Sequence, residues 1–190
     1  MKTLLVCTNN AHKLVEIQTI FPQFNVRSYG DVLGKIVDVV EDGKTFEENA
    51  IKKVEAMPSS PHFIYLADDS GLEVDAFDGE PGIYSARYGG DGLSSLDQCQ
   101  LILDRFKSHQ PRTAQFTCVM ALRFPDGSLK TVTGIIRGTI AHSIQGNHGF
   151  GYDPIFIPDG YSETFAQLGA DIKNKLSHRN EALKKLAVYL

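Results

Sequence analysis

The chain has 190 residues, 42% of them hydrophobic, which is enough to bury a core of domain size; 23 acidic against 19 Lys and Arg residues leave a formal net charge of -4. The basic residues are scattered, giving no general reason to bind nucleic acid or an anionic membrane, and the longest apolar runs, "TLLVC" and "GIIRGTI", fall far short of the ~20 residues of a spanning helix. Cys7, Cys99 and Cys118 are odd in number, widely spaced and outside any CxxC, which argues against disulfides and structural zinc and for a reducing, cytoplasmic setting.

"KTLLVCT" predicts a short apolar strand, and Asn9, Asn10 and His12 cut it off too early for a signal peptide, so Met1 reads as the mature start. "NNAHKLVEIQTIF" then changes to helical spacing at Leu14, Ile17, Ile20 and Phe21, with Asn9 or Asn10 as N-cap. Thr45 and Glu48 fit a capping box; Phe46, Ala50, Val54 and Met57 follow at helical intervals until Pro58 ends the pattern. "FIYLA" predicts the next strand, which delivers Asp68 and Asp69 at its end. "RTAQFTCVMALRF" and "LKTVTGIIRGTI" flank the turn sequence "PDGS" and predict an antiparallel hairpin, hence a mixed sheet. "SHRNEALKKLAVYL" reads as a helix with Ser177 as N-cap; Arg179 in its first turn opposes the helix dipole and is expected to serve another purpose. No repeat, charge block or linker appears, so residues 1–190 read as a single domain.

Four segments carry chemistry. "TNNAHK" at 8–13 joins strand to helix, where free backbone N–H groups favour a phosphate and Lys13 adds charge, although neither a P-loop nor a GxGxxG is present. In "ADDSG" two adjacent carboxylates point to opposite faces of a strand. Crowding raises one pKa unless a cation intervenes, so a Mg²⁺ site and a general base are both open. "GNHGFGYDPIF" at 146–156 combines glycines that let backbone approach a ligand with Phe150 and Tyr152, which can stack on a flat base. "KNKLSHR" at 173–179 concentrates cationic and donor groups at a helix start. Together they describe a ligand with phosphates, a metal and a planar ring.

In order, "TNNAHK", "VEDGKTFEENA", "ADDSGLEVDAFDGEPGIYSARYGG", "GFGYDPIF" and "KNKLSHRNEAL" resemble the inosine triphosphate pyrophosphatase family, whose Ham1-like dITP/XTP pyrophosphatases clear deaminated purine nucleotides from the nucleotide pool. The likeness covers nearly the whole chain. Asn9 stands where the family usually has a glycine between Thr and Asn, and asparagine tolerates positive φ better than most residues.

The resemblance implies a homodimeric α/β protein with an elongated, two-lobed, mixed twisted sheet, flanking helices and a nucleotide cleft between the lobes. It implies Asp69 as the catalytic carboxylate, Glu41 and Asp69 at a Mg²⁺ (Mn²⁺ as an alternative), and Asp68 as support. Thr8, Asn9, Asn10, Ala11, His12, Lys13, Ser70 and Lys173 would meet the triphosphate. Phe150, Gly151, Tyr152 and Asp153 would shape the nucleoside pocket, with His178 and Arg179 reaching the base. The implied reaction converts ITP, dITP or XTP to the monophosphate and pyrophosphate. Two rivals remain: an inactive nucleotide-binding regulator, and a pyrophosphatase of modified pyrimidine nucleotides on a related fold.

Overall fold

Strand and helix patterns alternate along most of the chain, and their apolar faces can be covered only by one another. The computed structural model describes residues 3–8, 11–34, 39–90, 92–107 and 110–190, with the side chains of His12 and Leu33 outside the description. Its elements are β1 (Thr3–Val6), α1 (Ala11–Ile20), β2 (Asn25–Ser28), α2 (Tyr29–Leu33), α3 (Phe46–Glu55), β3 (Phe63–Val74), α4 (Ser95–Arg105), β4 (Thr113–Arg123), β5 (Leu129–Ile140), β6 (Phe156–Pro158), α5 (Phe165–Leu168), α6 (Ala170–Leu176) and α7 (His178–Leu186). They build a mixed six-stranded sheet of order β2-β1-β3-β4-β5-β6 with flanking helices.

β1 runs parallel to both β2 and β3, with Leu4 opposite Val26 on one side and Ile64 on the other. That pairing requires crossovers, which α1 and α3 supply. The "PDGS" segment closes as a tight turn, Phe124 N–H donating to Ser128 O at 2.9 Å with Gly127 at φ +85°, so β4 and β5 run antiparallel as its residues predict. β6 adds antiparallel to β5, Thr139 opposite Ile157.

The chain forms two compact units. The first takes Met1–Asp69, Cys118–Gly134 and Arg179–Leu190; its core includes Leu4, Val6, Ile17, Phe21, Leu66, Met120 and Leu183. The second takes Ser70–Thr117 and Ile135–His178, around Leu72, Ile102, Phe116, Ile140, Ile155, Phe156 and Phe165. Among the described residues no helix is long and apolar enough to cross a membrane.

Two local expectations change, and one helix is added. β3 does not stop at Ala67 but continues to Val74, so the aspartates lie inside a strand of twelve residues. Their charges are met by side chains from other elements, and the backbone therefore needs no turn to release them to water. At α3, Thr45 Oγ1 accepts from Glu48 N at 3.1 Å, but the Glu48 carboxylate accepts from Lys44 N at 2.7 Å rather than from Thr45. α4 was not anticipated, although Ser94 and Asp97 form a reciprocal capping box that opens it. The expected Asn9 or Asn10 cap lies outside the described residues.

Candidate active site

Because consecutive strand residues face opposite ways, the aspartates of β3 meet different helices. Asp68 pairs with Lys13 Nζ of α1 at 2.8 Å and lies 3.6 Å from Arg179 Nε of α7. Arg179 is 1% exposed and also pairs with Glu16, which explains an arginine in the first turn of a helix: its guanidinium answers buried carboxylates that outweigh the unfavourable dipole. Burial by itself would raise the Asp68 carboxyl, but the charges of Lys13 and Arg179 and the Lys13 hydrogen bond overcome it and hold the group well below the usual carboxylate range. Asp68 Oδ1 has no hydrogen-bond partner among the described residues. Burial also pushes the Cys118 thiol beside it up to about 12, so that sulfur is a packing group.

Asp69, buried on the other face, accepts from Asn49 Nδ2 at 3.0 Å and pairs with Lys53 Nζ at 3.0 Å. Lys53 also reaches Glu41 Oε2 at 2.9 Å and the Asp68 carbonyl at 3.1 Å, so one ammonium gathers both carboxylates. Burial raises the Asp69 pKa and the negative charge of Glu41 adds to it, against the opposing charge of Lys53 and the Asn49 hydrogen bond. Lys53 moves up too: burial would lower it, but Asp69, Asp68 and Glu41 reverse the direction. A lysine so placed stays charged.

Asn49, Lys53 and Glu16 were missing from the sequence expectation. The first two had a signal. They sit one turn apart on the same face of α3 as Phe46, Ala50 and Val54, so the face predicted to be core carried two polar residues that require partners. Glu16 lies one turn after Lys13 on α1. Thr8 is half-buried just after β1, Ala11 is exposed at the start of α1, and Ser70 is half-buried within β3. Asn9, Asn10 and the His12 side chain lie outside the described residues.

In the second unit, Asp153 Oδ2 accepts from Phe150 N at 2.8 Å and from Lys173 Nζ at 2.6 Å, both charged side chains being almost fully buried. The Lys173 ammonium also lies 3.9 Å from the Phe150 ring centroid. Gly149 permits this turn: it stands at φ +80°, and a Cβ there would lie 2.1 Å from Asp153 Oδ2. Tyr152 points into the core, its hydroxyl donating to Ser85 O at 2.8 Å, and the Cys99 thiol reaches Gly151 O at 3.5 Å. The His178 ring stacks on Phe116 with centroids 4.9 Å apart and 12° between planes; Phe116 in turn packs on Phe156. The structure thus joins Phe150, Asp153 and Lys173 in one cluster and sets His178 on an aromatic stack.

The donors near Asp69 are hard oxygens. Among the described residues no cluster of three His, Cys, Asp or Glu is present, so a metal here would take one or two carboxylates, Glu41 and Asp69, and complete its shell from water and ligand oxygens. Among the described residues each Asp69 oxygen receives one hydrogen bond, and a carboxylate oxygen has a second lone pair that suits such a cation.

The chain matches the family model described as "Ham1 family" over residues 4–189. A protein of Leuconostoc mesenteroides named dITP/XTP pyrophosphatase is 45% identical over 201 residues, covering 98% of each chain. Among solved structures, the Staphylococcus aureus Ham1 protein superposes with a TM-score of 0.90 at 40% identity, over 99% of this chain and 97% of that one. A HAM1 protein from Coxiella burnetii gives 0.89 at 33% identity, over 100% and 98%. With a family model spanning almost every residue, and a carboxylate pair flanked by lysines where its most specific sequence block falls, this chain belongs to the Ham1 family.

Proposed function

We propose that this protein hydrolyses non-standard purine nucleoside triphosphates, ITP, dITP and XTP, to the nucleoside monophosphate and pyrophosphate. The observation that carries the reading is the buried aspartate pair, with Lys13 on Asp68 and with Lys53 on both Asp69 and Glu41. Two compensated carboxylates beside basic groups suit a polyanionic substrate whose hydrolysis needs an oriented water. The names of the relatives, dITP/XTP pyrophosphatase, point the same way.

Asp69 holds the attacking water and takes its proton, a task suited to a carboxylate whose pKa is raised by burial while Lys53 keeps it accessible as the anion. The water oxygen bonds to the α-phosphorus, the bond from that phosphorus to the α,β-bridging oxygen breaks, and pyrophosphate leaves with the bridging oxygen. Lys13 and Lys53 offset the negative charge on the phosphates. Mg²⁺, held by Glu41 and Asp69, would supply further charge neutralisation when bound, with Mn²⁺ as a substitute. The Lys173–Asp153 pair keeps the 149–153 turn in shape for the nucleoside, with Phe150 as its aromatic wall.

Base choice rests on donors. Hypoxanthine and xanthine offer a 6-oxo acceptor where adenine offers a 6-amino donor, so N–H groups of His178 and Arg179 favour the first two, and a site of this kind discriminates by as much as about 10⁴-fold. His178 is pre-oriented for this by its stack on Phe116. Arg179 follows it in the chain and carries five N–H donors in a planar fork, with Glu16 and Asp68 among its partners. We further propose a homodimer acting in the cytoplasm.

The test is product analysis with Mg²⁺ and ITP, XTP, ATP, GTP or dUTP, separating pyrophosphate from orthophosphate. Pyrophosphate with IMP or XMP, and ATP and GTP largely spared, supports the reading. Preferential turnover of dUTP overturns the base assignment, and absence of all turnover overturns the activity.

A further inference from the structure

Asn49 is fully buried on α3, and both ends of its side-chain amide are engaged. Its Oδ1 accepts from the backbone N–H of Gly43 at 2.8 Å, and its Nδ2 donates to Asp69 Oδ2 at 3.0 Å. The orientation follows from the partners: an N–H can only donate, so the oxygen must face Gly43 and the NH₂ must face the carboxylate. Gly43 stands two residues after Glu41, whose carboxylate shares Lys53 with Asp69. A single amide therefore joins the Glu41 segment to the one Asp69 oxygen that Lys53 does not hold.

The fit at Gly43 is close. A Cβ added there would lie 2.5 Å from Asn49 Oδ1 and 2.9 Å from Glu48 Cβ, so the backbone reaches the amide only because it carries no side chain. Glu48 meanwhile accepts from Lys44 N at 2.7 Å, which ties the next residue of the same segment to α3. Lys53 can neutralise Asp69 and Glu41, but as a compact charge on a flexible stem it sets little direction. A planar amide between a fixed N–H and a carboxylate oxygen does set one.

We infer that Asn49 is the positioning residue of this site: it orients the Asp69 carboxylate and sets the Glu41 segment against it through the Gly43 N–H. The inference rests on the roles proposed for Asp69 and Glu41. Its two halves separate experimentally. Asn49→Asp keeps an acceptor for Gly43 but turns the donor to Asp69 into a second carboxylate. Gly43→Ala keeps every polar side chain but forces the segment away.

Steady-state kinetics with ITP and Mg²⁺ would be combined with hydrogen exchange of the Gly43 amide, read on the full chain without metal or substrate. Asn49→Asp should retain Gly43 protection and lose kcat by about 10²-fold with KM within about threefold, the signature of misplaced chemistry rather than lost binding. Asn49→Ala should lose both Gly43 protection and kcat, and Gly43→Ala should lower kcat in the same sense. Wild-type kcat in Asn49→Asp, or a loss confined to KM, overturns the orienting role. Retained Gly43 protection in Asn49→Ala overturns the link to the Glu41 segment, and does so even if wild-type protein releases no pyrophosphate from ITP, a result that would instead defeat the proposed function.

Discussion

Replacing Asp68 with Asn removes one charge, leaves the volume nearly unchanged and takes a carboxylate from the half-buried Lys13 and from the buried Arg179, which keeps Glu16. At an effective dielectric of about 20, the pairs at 2.8 Å to Lys13 and 3.6 Å to Arg179 correspond to gross attractions of about 6 and about 5 kcal/mol. Burial offsets much of this. Breaking a buried pair by removing one partner costs about 3–5 kcal/mol, because the partner charges stay buried and lose compensation. For a chain of 190 residues, at about 2–4 °C per kcal/mol, the midpoint of thermal unfolding should fall by roughly 6–20 °C at pH 7. The pH dependence has a definite sign. Asp68 is depressed in the folded state, so its contribution is fully present above its unfolded value of about 3.9 and is lost as the pH falls towards the lower folded value. Denaturant unfolding of wild type and variant from pH 7 to pH 3 measures this. A penalty under about 1 kcal/mol at pH 7, or a gap that widens in acid, would refute the argument that the Lys13–Asp68–Arg179 network holds the first unit together.

Asp69→Asn should behave differently: kcat falls by at least about 10²-fold, but the midpoint falls less than for Asp68→Asn, since Lys53 keeps Glu41 at 2.9 Å. Pyrophosphate release and calorimetry on the same preparation decide between the two patterns. His178→Ala should reduce the ITP-to-ATP ratio of kcat/KM by about tenfold or more, the value of one or more hydrogen bonds to a base, and an unchanged ratio removes His178 from base recognition. Gly149→Ala forces a side chain into φ +80° and against Asp153 Oδ2; a loss of at least about 1–2 kcal/mol is expected, with protease susceptibility rising at 149–153. Wild-type stability there would mean that the turn has another conformation.

Much of the fold lies in short-range pattern. The spacing of Leu14, Ile17, Ile20 and Phe21 places α1, and Thr45 opens α3. "PDGS" turns β4 into β5, and each of these depends on residues a few positions apart. The opposite facing of Asp68 and Asp69 is equally local, since it follows from the pleat. The end of β3 was not legible, because whether a strand continues past two carboxylates depends on what stands across from them. α4 was missed, although Ser94 and Asp97, three residues apart, carried a local capping signal.

The site divides along the same line. Residue types and their order pointed to a carboxylate pair, lysines and a glycine-aromatic segment, and they supported resemblance to a family over nearly the full chain. No local rule could choose, among 19 lysines and arginines, that Lys13 and Arg179 answer Asp68 while Lys53 answers Asp69, nor that Lys173 is taken up by Asp153. Those choices belong to the tertiary structure. Strand β3 sets its aspartates against α3, its neighbour in the chain, and against α1 and α7, which are distant in sequence, and a buried charge takes whichever opposite charge the packing brings within about 4 Å, because at that range the attraction offsets the water it has lost.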